Sequence, residues 1–370
     1  MNDKPKLQLV MVGQTPPPFN GQAKMIEVLL KGLSDRYDTR FVRMQFSDSV
    51  SMAGKFAPGK IIHLFALVFR AWKALGVKRD RYLYYPPASP NLIPILRDIL
   101  FLMAVRPFSK GLILHFHAGG VSRYAQRHPL LRQLLRLAYG RMSLGIVQGA
   151  SCPDDPGFFH AKAKAVVPHG IDVKGRASDS EGKSDGRLHI LYVGIHTRDK
   201  GLFTLLDTAK ELVDRKVDFA IHTVGRWYTR KEEERFLQTV KQQCLQDYIF
   251  CRGEQIGDEL EQAYAWADVF LFPTRYPWET MGIVQLEAMA HGLPVVATDW
   301  QGPRDVVIDR QTGFLCRPDH ACDFADRIQQ LAIDPGLRKA MGTAAQKKYQ
   351  SFYTADAYMR RMNAVLEQLA

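Results

Sequence analysis

The chain has 370 residues, of which 46% are hydrophobic and 24% are charged. This length suits two domains of roughly 150 to 200 residues, and the composition excludes a disordered or collagen-like protein. The five cysteines form no C-x-x-C pair and no cluster with histidine, which argues against a zinc site or a disulfide framework.

The net charge of +12 is concentrated in the first half of the chain. Residues 1–172 contain 24 Lys/Arg and 10 Asp/Glu, whereas residues 173–370 contain 26 and 28. A basic half favours an anionic partner such as nucleic acid, acidic phospholipid or phosphate; an ordinary solvated basic surface is the alternative. The first residues, MNDKPKLQLVMVG, lack the apolar region and cleavage site of a signal peptide, so we expect a cytoplasmic protein.

Short apolar runs alternate with helical segments through the first half. LQLVMVG at 7–13 ends in glycine, as a buried parallel strand often does before a turn and a helix. Further strand-like runs lie at 39–46, 81–85, 111–117, 144–149 and 165–170, and helical segments at 21–33, 91–105 and 129–141. This alternation predicts βα units built around a parallel sheet.

Two of the apolar segments in this half raise the question of a membrane. Residues 61–76 and 91–105 are interrupted by charged side chains, and both are short for a bilayer span, so we predict no transmembrane helix. The first is followed by Lys78, Arg79 and Arg81, which fits an amphipathic basic helix on a membrane surface. A helix packed against the core of the first domain is the alternative.

The second half repeats the pattern from LHILYVG at 188–194, which resembles the run at 7–13. Strand-like runs follow at 217–225, 247–253, 268–273, 294–298 and 313–318. Residues 173–187 are polar and rich in Gly and Ser, as a linker is. We therefore predict two doubly wound α/β domains, with a ligand bound in a cleft where the carboxyl ends of their strands face each other.

The segment WETMGIVQLEAMAHGLPVVA, residues 278–297, places two acids around an apolar helix-like stretch. If Thr280 begins the helix, its free N–H groups form a phosphate site with Glu279 at the edge. Eight helical residues rise about 12 Å, so Glu279 and Glu287 would reach two hydroxyl-bearing parts of one ligand, such as a sugar and a ribose. A solvated acidic pair is the alternative.

Residues 268–318 resemble the donor-binding region of retaining glycosyltransferases of family 4, which have the GT-B fold. The shared pattern consists of Pro273, Glu279, Gly282, Glu287, the segments 288–290 and 292–296, and the turn 312–313. The resemblance implies that Glu279 approaches the transferred sugar and that Glu287 binds the ribose hydroxyls. It implies donor contacts from Gly21, Gly194, Thr280, Met281, Gly282, Ile283 and Glu287.

The segment YVGIHTRDKG at 192–201 resembles the family's strand, glycine and basic pair, whose cations neutralise the donor pyrophosphate. Lys200 matches this pattern directly. Ile195 stands where the family has arginine, so Arg198 is the expected substitute and His196 its rival. A departing nucleoside diphosphate needs local positive charge.

Three segments of the first domain also resemble the family. FHAGG at 116–120 resembles the strand-end histidine that lies near the donor sugar, which favours His117, with His115 as the alternative. Gly21, preceded by Asn20, stands in the loop where the family carries glycines that approach phosphate. VPHGID at 167–172 has His169 in place of the family's asparagine, and we expect a structural role for it.

The fold that these resemblances imply is GT-B, with two Rossmann-like domains facing a cleft. The expected boundaries are residues 1–172 for an acceptor-binding domain, 173–187 for the linker, 188–350 for the donor-binding domain and 351–370 for a last helix that crosses back to the first domain.

The reaction that the resemblance implies is transfer of a hexose or N-acetylhexosamine, with retention, from a nucleotide sugar to a glycan acceptor. Glu279, Lys200, Arg198 and His117 are the expected catalytic residues. A lipid-linked acceptor in bacterial surface polysaccharide synthesis is favoured by the basic half, and a soluble acceptor is the alternative. The protein would then be cytoplasmic, with a peripheral position on the inner face of the plasma membrane.

We expect neither a metal nor a cofactor, because the sequence has no Asp-x-Asp motif. A nucleotide-sugar epimerase or a glycan phosphorylase on the same fold is the alternative enzyme, although nothing marks a pyridoxal-phosphate lysine. A nucleic-acid-binding protein is the non-enzymatic alternative. Since no recognition helix or stacking platform is evident, we expect no nucleic acid partner.

Overall fold

The structure, a computed structural model, describes residues 7–17, 20–44, 59–175 and 185–369. The chain divides into two compact units, residues 1–171 with 355–370, and residues 172–354. The second unit therefore begins at Asp172, and part of the expected linker, residues 176–184, lies outside the described residues.

The first unit contains a six-stranded parallel sheet in the order β2-β1-β3-β4-β5-β6. Its elements up to residue 171 are β1 (Gln8–Gly13), α1 (Gly21–Ser34), β2 (Asp38–Arg43), α2 (Gly59–Leu75), β3 (Tyr82–Tyr85), α3 (Leu92–Val105), β4 (Gly111–His115), α4 (Val121–Arg127), α5 (Pro129–Tyr139), β5 (Leu144–Val147), α6 (Asp155–Phe158) and β6 (Lys164–Val166). The predicted alternation of strands and helices is confirmed here.

The second unit contains another six-stranded parallel sheet, in the order β12-β11-β10-β7-β8-β9. Its elements are β7 (Leu188–Val193), α7 (Leu202–Asp214), β8 (Phe219–Val224), α8 (Arg230–Gln242), β9 (Ile249–Cys251), α9 (Asp258–Trp266), β10 (Val269–Phe272), α10 (Ile283–Ala290), β11 (Val295–Thr298), α11 (Gln301–Val306), β12 (Gly313–Cys316), α12 (Ala321–Ile333) and α13 (Pro335–Lys348). Every residue of β7, β8, β10 and β11 is buried, as expected of parallel strands covered by helices.

The last helix, α14 (Ala355–Leu366), belongs to the first unit rather than the second. The Tyr82 hydroxyl donates to the carbonyl of Leu369 at 3.2 Å, and the Arg361 guanidinium donates to the carbonyl of Pro168 at 3.1 Å. The predicted return of the C-terminal segment to the first domain is confirmed, with the helix beginning at Ala355 rather than at 351.

Each sheet has its own hydrophobic core. In the first unit, side chains of β1, β3 and β4 pack with α2, α3 and α5 in one cluster. In the second unit, side chains of β7, β8 and β10 pack with α7 and α12 in another. Within the described residues, no helix combines the length and the apolarity needed to cross a bilayer.

Candidate active site

The two central strands of the second sheet, β7 and β10, lie side by side. The next strand after β7 lies on one side of this pair, and the next strand after β10 lies on the other side. Between such strands the loops at the carboxyl ends leave a crevice, which is where open α/β sheets bind ligands. Here those loops are residues 194–201 and 273–282. The sequence placed most of its candidate residues in these two loops.

The two loops are held against each other by backbone contacts. The Arg275 N–H donates to the carbonyl of Asp199 at 2.8 Å. Gly201 has a φ of +84°, and a Cβ at this position would lie 2.0 Å from the carbonyl oxygen of Pro273. Only glycine fits such a position, so the loop that carries Lys200 is fixed against the loop that carries Glu279.

Lys200 and Glu279 form the central ion pair of this crevice. The Lys200 Nζ lies 2.6 Å from the Glu279 Oε2, and the Thr274 hydroxyl donates to the same oxygen at 3.3 Å. Glu279 is only 7% exposed, whereas the Lys200 side chain is about one fifth exposed at 21%. The carboxylate is therefore held by two donors, and the Lys200 side chain is the more exposed member of the pair.

Tyr276 forms one wall of the same crevice. The Lys200 Nζ lies 4.5 Å from the centre of its ring, within the range of a cation–π contact. Burial, with the charge of Glu279 as a smaller cause, raises the pKa of Tyr276 to about 12. Burial and the same charge also raise the pKa of Tyr192. Both phenols are therefore neutral hydroxyls at physiological pH.

Arg198 and His196, the two rivals for the missing arginine, have different surroundings. The Arg198 guanidinium lies 5.7 Å from the ring of Phe203, and its backbone N–H donates to Glu232 at 3.1 Å. His196 is fully buried beside Trp227, and burial lowers its pKa to about 4. Because a neutral imidazole supplies no positive charge, Arg198 is the better of the two as a phosphate-binding cation.

The expectation that Thr280 begins the helix is wrong. The helix α10 begins at Ile283, and Gly282 precedes it with a φ of +73°. This left-handed conformation is not helical, so Thr280 and Met281 belong to the loop. Gln285 closes the first turn, because its side-chain amide donates to the carbonyl of Met281 at 2.7 Å.

This correction changes the geometry expected of the two acids. Glu279 lies four residues before the helix and Glu287 is its fifth residue, so the rise of about 12 Å for eight helical residues does not apply. The free N–H groups of the helix end belong to Ile283 and Val284 rather than to Thr280. The candidate phosphate site therefore shifts to Ile283 and Val284.

Glu287 lies on the buried side of α10. It is 9% exposed, and the Tyr264 hydroxyl donates to its Oε2 at 3.0 Å. Burial, together with the charge of Glu287, raises the pKa of Tyr264 well above its ordinary value, so the phenol remains a donor. The solvated acidic pair considered for Glu279 and Glu287 is therefore excluded.

The other candidates in the second unit and in the first strand-to-helix loop are backbone positions. Gly194 follows β7, and its N–H donates to the carbonyl of Val224 at 3.0 Å. Gly21 is the first residue of α1, where the Asn20 side chain caps the helix by accepting from the Ala23 N–H at 2.8 Å. Two residues of this loop, 18 and 19, lie outside the described residues.

His117 belongs to a group of three histidines in the first unit. The ring centres of His115 and His117 are 4.1 Å apart, and His169 stacks on His117 at 5.2 Å. The Tyr84 hydroxyl lies 2.7 Å from the His115 Nδ1. Burial lowers the pKa of His117 to about 3 and lowers those of His115 and His169 as well, so all three imidazoles are neutral at physiological pH.

The three histidines are also a possible metal site, because their ligand atoms all lie within 4.8 Å of one another. Imidazole nitrogen is a common ligand of zinc and other transition metals. The sequence predicted no metal and assigned His169 only a structural role. Its stacking on His117 makes it a neighbour of the candidate sugar-binding histidine.

Sequence reasoning missed three residues of the site: Thr274, Tyr276 and Tyr264. Thr274 and Tyr276 lie in the loop between Pro273 and Glu279, so their position between a strand end and a candidate catalytic carboxylate was the available signal. Tyr264 is on α9, 23 residues before its partner Glu287. Nothing in the local pattern of α9 distinguishes this tyrosine from an ordinary core residue.

Two solved structures show which fold this chain has. A sucrose-phosphate synthase from Thermosynechococcus elongatus superposes with a TM-score of 0.78 at 20% identity, over 98% of this chain and 99% of the other. HepE from Anabaena, solved in complex with UDP and glucose, superposes with a TM-score of 0.74 at 16% identity, over 98% and 100%. The predicted GT-B fold, with two Rossmann-like domains, is confirmed.

The sequence comparison matches part of the chain. Residues 173–348 match the family described as glycosyl transferases group 1. The match includes Lys200, Glu279 and Glu287.

Curated relatives share this region. The sulfoquinovosyl transferase SQD2 of Arabidopsis thaliana is 32% identical over 161 residues, 43% of this chain and 30% of the relative. A D-inositol 3-phosphate glycosyltransferase of Pseudarthrobacter chlorophenolicus is 30% identical over 194 residues, 50% and 46%. A putative colanic acid biosynthesis glycosyltransferase, WcaL, of Salmonella typhimurium is 28% identical over 213 residues, 55% and 51%. The chain spans about half the length of these relatives or less.

Proposed function

We propose that this protein is a retaining glycosyltransferase that moves a hexose or N-acetylhexosamine from a nucleotide diphosphate sugar to a glycan acceptor. The observation that carries the proposal is the Lys200–Glu279 pair, at 2.6 Å, in the crevice between β7 and β10 of the group 1 region. A fixed cation beside a buried carboxylate suits a donor that has a diphosphate on one side and sugar hydroxyls on the other.

Lys200 and the start of α10 would bind the diphosphate. The Lys200 side chain is partly exposed, and the N–H groups of Ile283 and Val284 are those that a helix leaves free at its N-terminus. Negative charge grows on the diphosphate as the glycosidic bond breaks, so these donors stabilise the transition state more than the ground state. Arg198 would add a second cation.

Glu279, Glu287 and His117 would orient the two sugars of the donor. Glu279 accepts from hydroxyls of the transferred sugar, and Glu287 accepts from the ribose while Tyr264 holds one of its oxygens. His117 is neutral because its pKa is about 3, so its role is hydrogen bonding to the sugar rather than charge stabilisation.

Retention of configuration follows if the acceptor attacks the face that the leaving group departs from. The bond between the anomeric carbon and the phosphate oxygen breaks, and the acceptor oxygen bonds to the anomeric carbon on the same face. The released phosphate oxygen takes the proton of the acceptor hydroxyl. The acceptor proton therefore has a destination on the leaving group, and no protein base is needed. The proposed reaction uses neither a metal nor a cofactor.

The acceptor that we propose is a lipid-linked glycan of bacterial surface polysaccharide synthesis, presented at the inner face of the plasma membrane. WcaL, one of the relatives, is named for colanic acid biosynthesis, and the basic first half of the chain suits an anionic surface. UDP is the first nucleotide to test, since HepE was solved with UDP and glucose.

A screen of nucleotide sugars tests the activity. We expect one UDP- or GDP-sugar to raise the melting temperature and to be slowly hydrolysed without acceptor, with release of the nucleoside diphosphate. Nuclear magnetic resonance of the product formed with a glycan acceptor should show the anomeric configuration of the donor. Epimerised donor, phosphate-dependent release of a sugar phosphate, or an inverted product would each overturn the proposal.

A further inference from the structure

Three helices of the first unit, α2, α3 and α5, carry apolar side chains on the side that faces solvent. On α2, Ile62, Phe65 and Phe69 are 74%, 72% and 66% exposed. Their spacing of three and four residues places them on one side of the helix. A surface helix ordinarily presents polar side chains there.

The same feature recurs on the two neighbouring helices. Leu96 and Leu100 on α3, four residues apart, are both exposed. Leu130 and Leu137 on α5, seven residues apart, are 88% and 65% exposed. The opposite sides of these helices pack against the core of the first unit, where Leu67 of α2, Leu102 of α3 and Leu135 of α5 are fully buried.

The three helices form one continuous surface, which we call the outer helix face. The Trp72 indole N–H of α2 donates to the carbonyl of Ala104 on α3 at 3.0 Å, and its ring lies 5.5 Å from that of Phe108. The Arg106 guanidinium, directly after α3, donates to the carbonyl of Leu137 on α5 at 3.1 Å. Large continuous apolar surfaces of soluble proteins mark interaction sites.

The segment of the chain that contains these three helices is strongly basic. Residues 59–150 contain 14 Lys/Arg and only two acids, Asp80 and Asp98. Asp98 is fully buried, where it accepts from the hydroxyls of Tyr85 and Tyr139 and pairs with Arg97 at 2.7 Å. The segment that contains the outer helix face therefore has a strongly positive net charge.

We propose that the outer helix face inserts into the surface of an anionic phospholipid bilayer. Apolar side chains at the centre suit the acyl boundary, and surrounding Lys and Arg suit the phosphates of the headgroups. A second copy of this chain fits less well, because it would bring one cationic rim against another. The inference deepens the proposed function and rests on it for the acceptor, since docking places the first unit where a lipid-linked glycan is presented.

Vesicle cosedimentation of the full chain tests the inference. We expect binding to vesicles of equal parts phosphatidylcholine and phosphatidylglycerol, and much weaker binding to phosphatidylcholine alone. The double variant Phe65→Gln with Phe69→Gln should bind the anionic vesicles at least about tenfold more weakly, because two aromatic rings no longer leave water. The matched control, Leu237→Gln with Ile333→Gln, alters exposed apolar residues of the second unit and should bind like the wild type.

The depth to which the outer helix face inserts is measured by quenching of tryptophan fluorescence with lipids brominated on the acyl chains. Trp72 is the only tryptophan of residues 1–171, and its side chain is 42% exposed at the outer helix face. Quenching should occur with the wild type and disappear in the Trp72→Phe variant. Vesicle binding without quenching would mean adsorption by charge alone and would overturn insertion.

Three further outcomes contradict the inference. Equal binding by the wild type and the Phe65/Phe69 variant, or no binding at low salt, removes the bilayer as the partner. A dimer in light scattering that the same variant dissociates would identify a second copy of the chain instead. Donor hydrolysis in solution, measured without vesicles, should be unchanged in the variant. If the wild type hydrolyses a donor but does not bind vesicles, only this inference is overturned. If it binds vesicles but hydrolyses no donor, the proposed function is overturned.

Discussion

The candidate residues of the two units lie at the carboxyl ends of parallel strands in both cases, yet they differ in charge. After β7 and β10 the second unit places a cation and a carboxylate, Lys200 and Glu279, in contact. At the carboxyl ends of β4 and β6 the first unit places three imidazoles that burial keeps neutral. The same kind of sheet thus supports two kinds of chemistry, because the loops rather than the strands determine it.

The difference suggests a division of labour. A diphosphate that gains charge needs fixed cations and free N–H groups, which the second unit has at Lys200 and at the start of α10. A sugar is uncharged, and neutral imidazoles bind it by hydrogen bonds without attracting a competing anion. The predictions that follow test this contrast, beginning with the charged pair.

The largest effect is expected from Lys200→Ala and Glu279→Ala. Each removes half of the ion pair, and we expect kcat/KM to fall by about 10²- to 10³-fold, as for the loss of one transition-state donor. The double variant should lose much less than the product of the two single losses, because the residues act as a unit. Initial rates with the donor found in the screen provide the measurement.

The matched control is Lys210→Ala on α7. Lys210 is also a lysine paired with a carboxylate, that of Asp214 at 3.2 Å, but its side chain is half exposed. The kcat/KM of the Lys210→Ala variant should equal that of the wild type. Wild-type rates from either Lys200→Ala or Glu279→Ala would remove the charged pair from the mechanism.

A smaller effect is expected from Glu287→Gln. The Tyr264 hydroxyl still finds an oxygen to donate to, but the carboxylate that would accept from the ribose has lost its charge. We expect the Kd for the nucleoside diphosphate to rise about tenfold, equivalent to about 1.4 kcal/mol, with a much smaller change in kcat. Calorimetric titration of the variant and of Tyr264→Phe separates the two groups; an unchanged Kd in Glu287→Gln would assign Glu287 to the core alone.

Sequence patterns were sufficient for the fold because the signals are local. Apolar runs ending in glycine marked β1 and β7, and the strand-like run at 268–273 contains β10. The residues of the charged pair were also found from sequence, although they are 79 positions apart. Their contact depends on which strands become neighbours, and for β7 and β10 the sheet order, rather than the distance along the chain, decides it.

The start of α10 shows where local patterns fail. Glycine at 282 was visible, but the sequence does not reveal whether its φ is positive, and that angle moves the helix start from Thr280 to Ile283. A Cβ at Gly282 would also lie 2.7 Å from the Phe272 ring, a contact between two elements. The stacking of His169 on His117 was equally hidden, since it joins the ends of different strands.

Acid should weaken the first unit through its histidines. The folded-state pKa of His117 is about 3 and that of an unfolded histidine about 6.5, so below pH 6.5 the unfolded chain binds protons that the folded chain does not. The free energy of unfolding should therefore fall as pH decreases from 6.5 towards 3, by up to about 1.4 kcal/mol per pH unit for each such histidine. Urea titrations at several pH values measure this slope.

The variant His117→Gln isolates one part of that slope. Glutamine keeps hydrogen-bonding atoms but does not titrate, so the pH dependence of unfolding below 6.5 should become shallower than in the wild type. The free energies of unfolding of the variant and the wild type at pH 7.5, where His117 is neutral, are compared to measure any loss of packing. An unchanged slope would mean that His117 is protonated in the folded protein, and the neutral character assigned to the first unit would be lost.

The smallest effect is expected from removing metal ions. The ligand atoms of His115, His117 and His169 lie within 4.8 Å of one another, which is close enough for a transition metal. All three are neutral imidazoles, so the group offers no carboxylate to balance a divalent charge in the basic half of the chain. We expect transfer after treatment with a chelator to stay within about twofold of the untreated rate, since the ligands that we propose for the diphosphate are Lys200 and amide groups. The contrary result would be one metal ion per chain in the wild type, with both the ion and the activity lost in His169→Gln. The candidate sites of the first and the second unit would then both be charged.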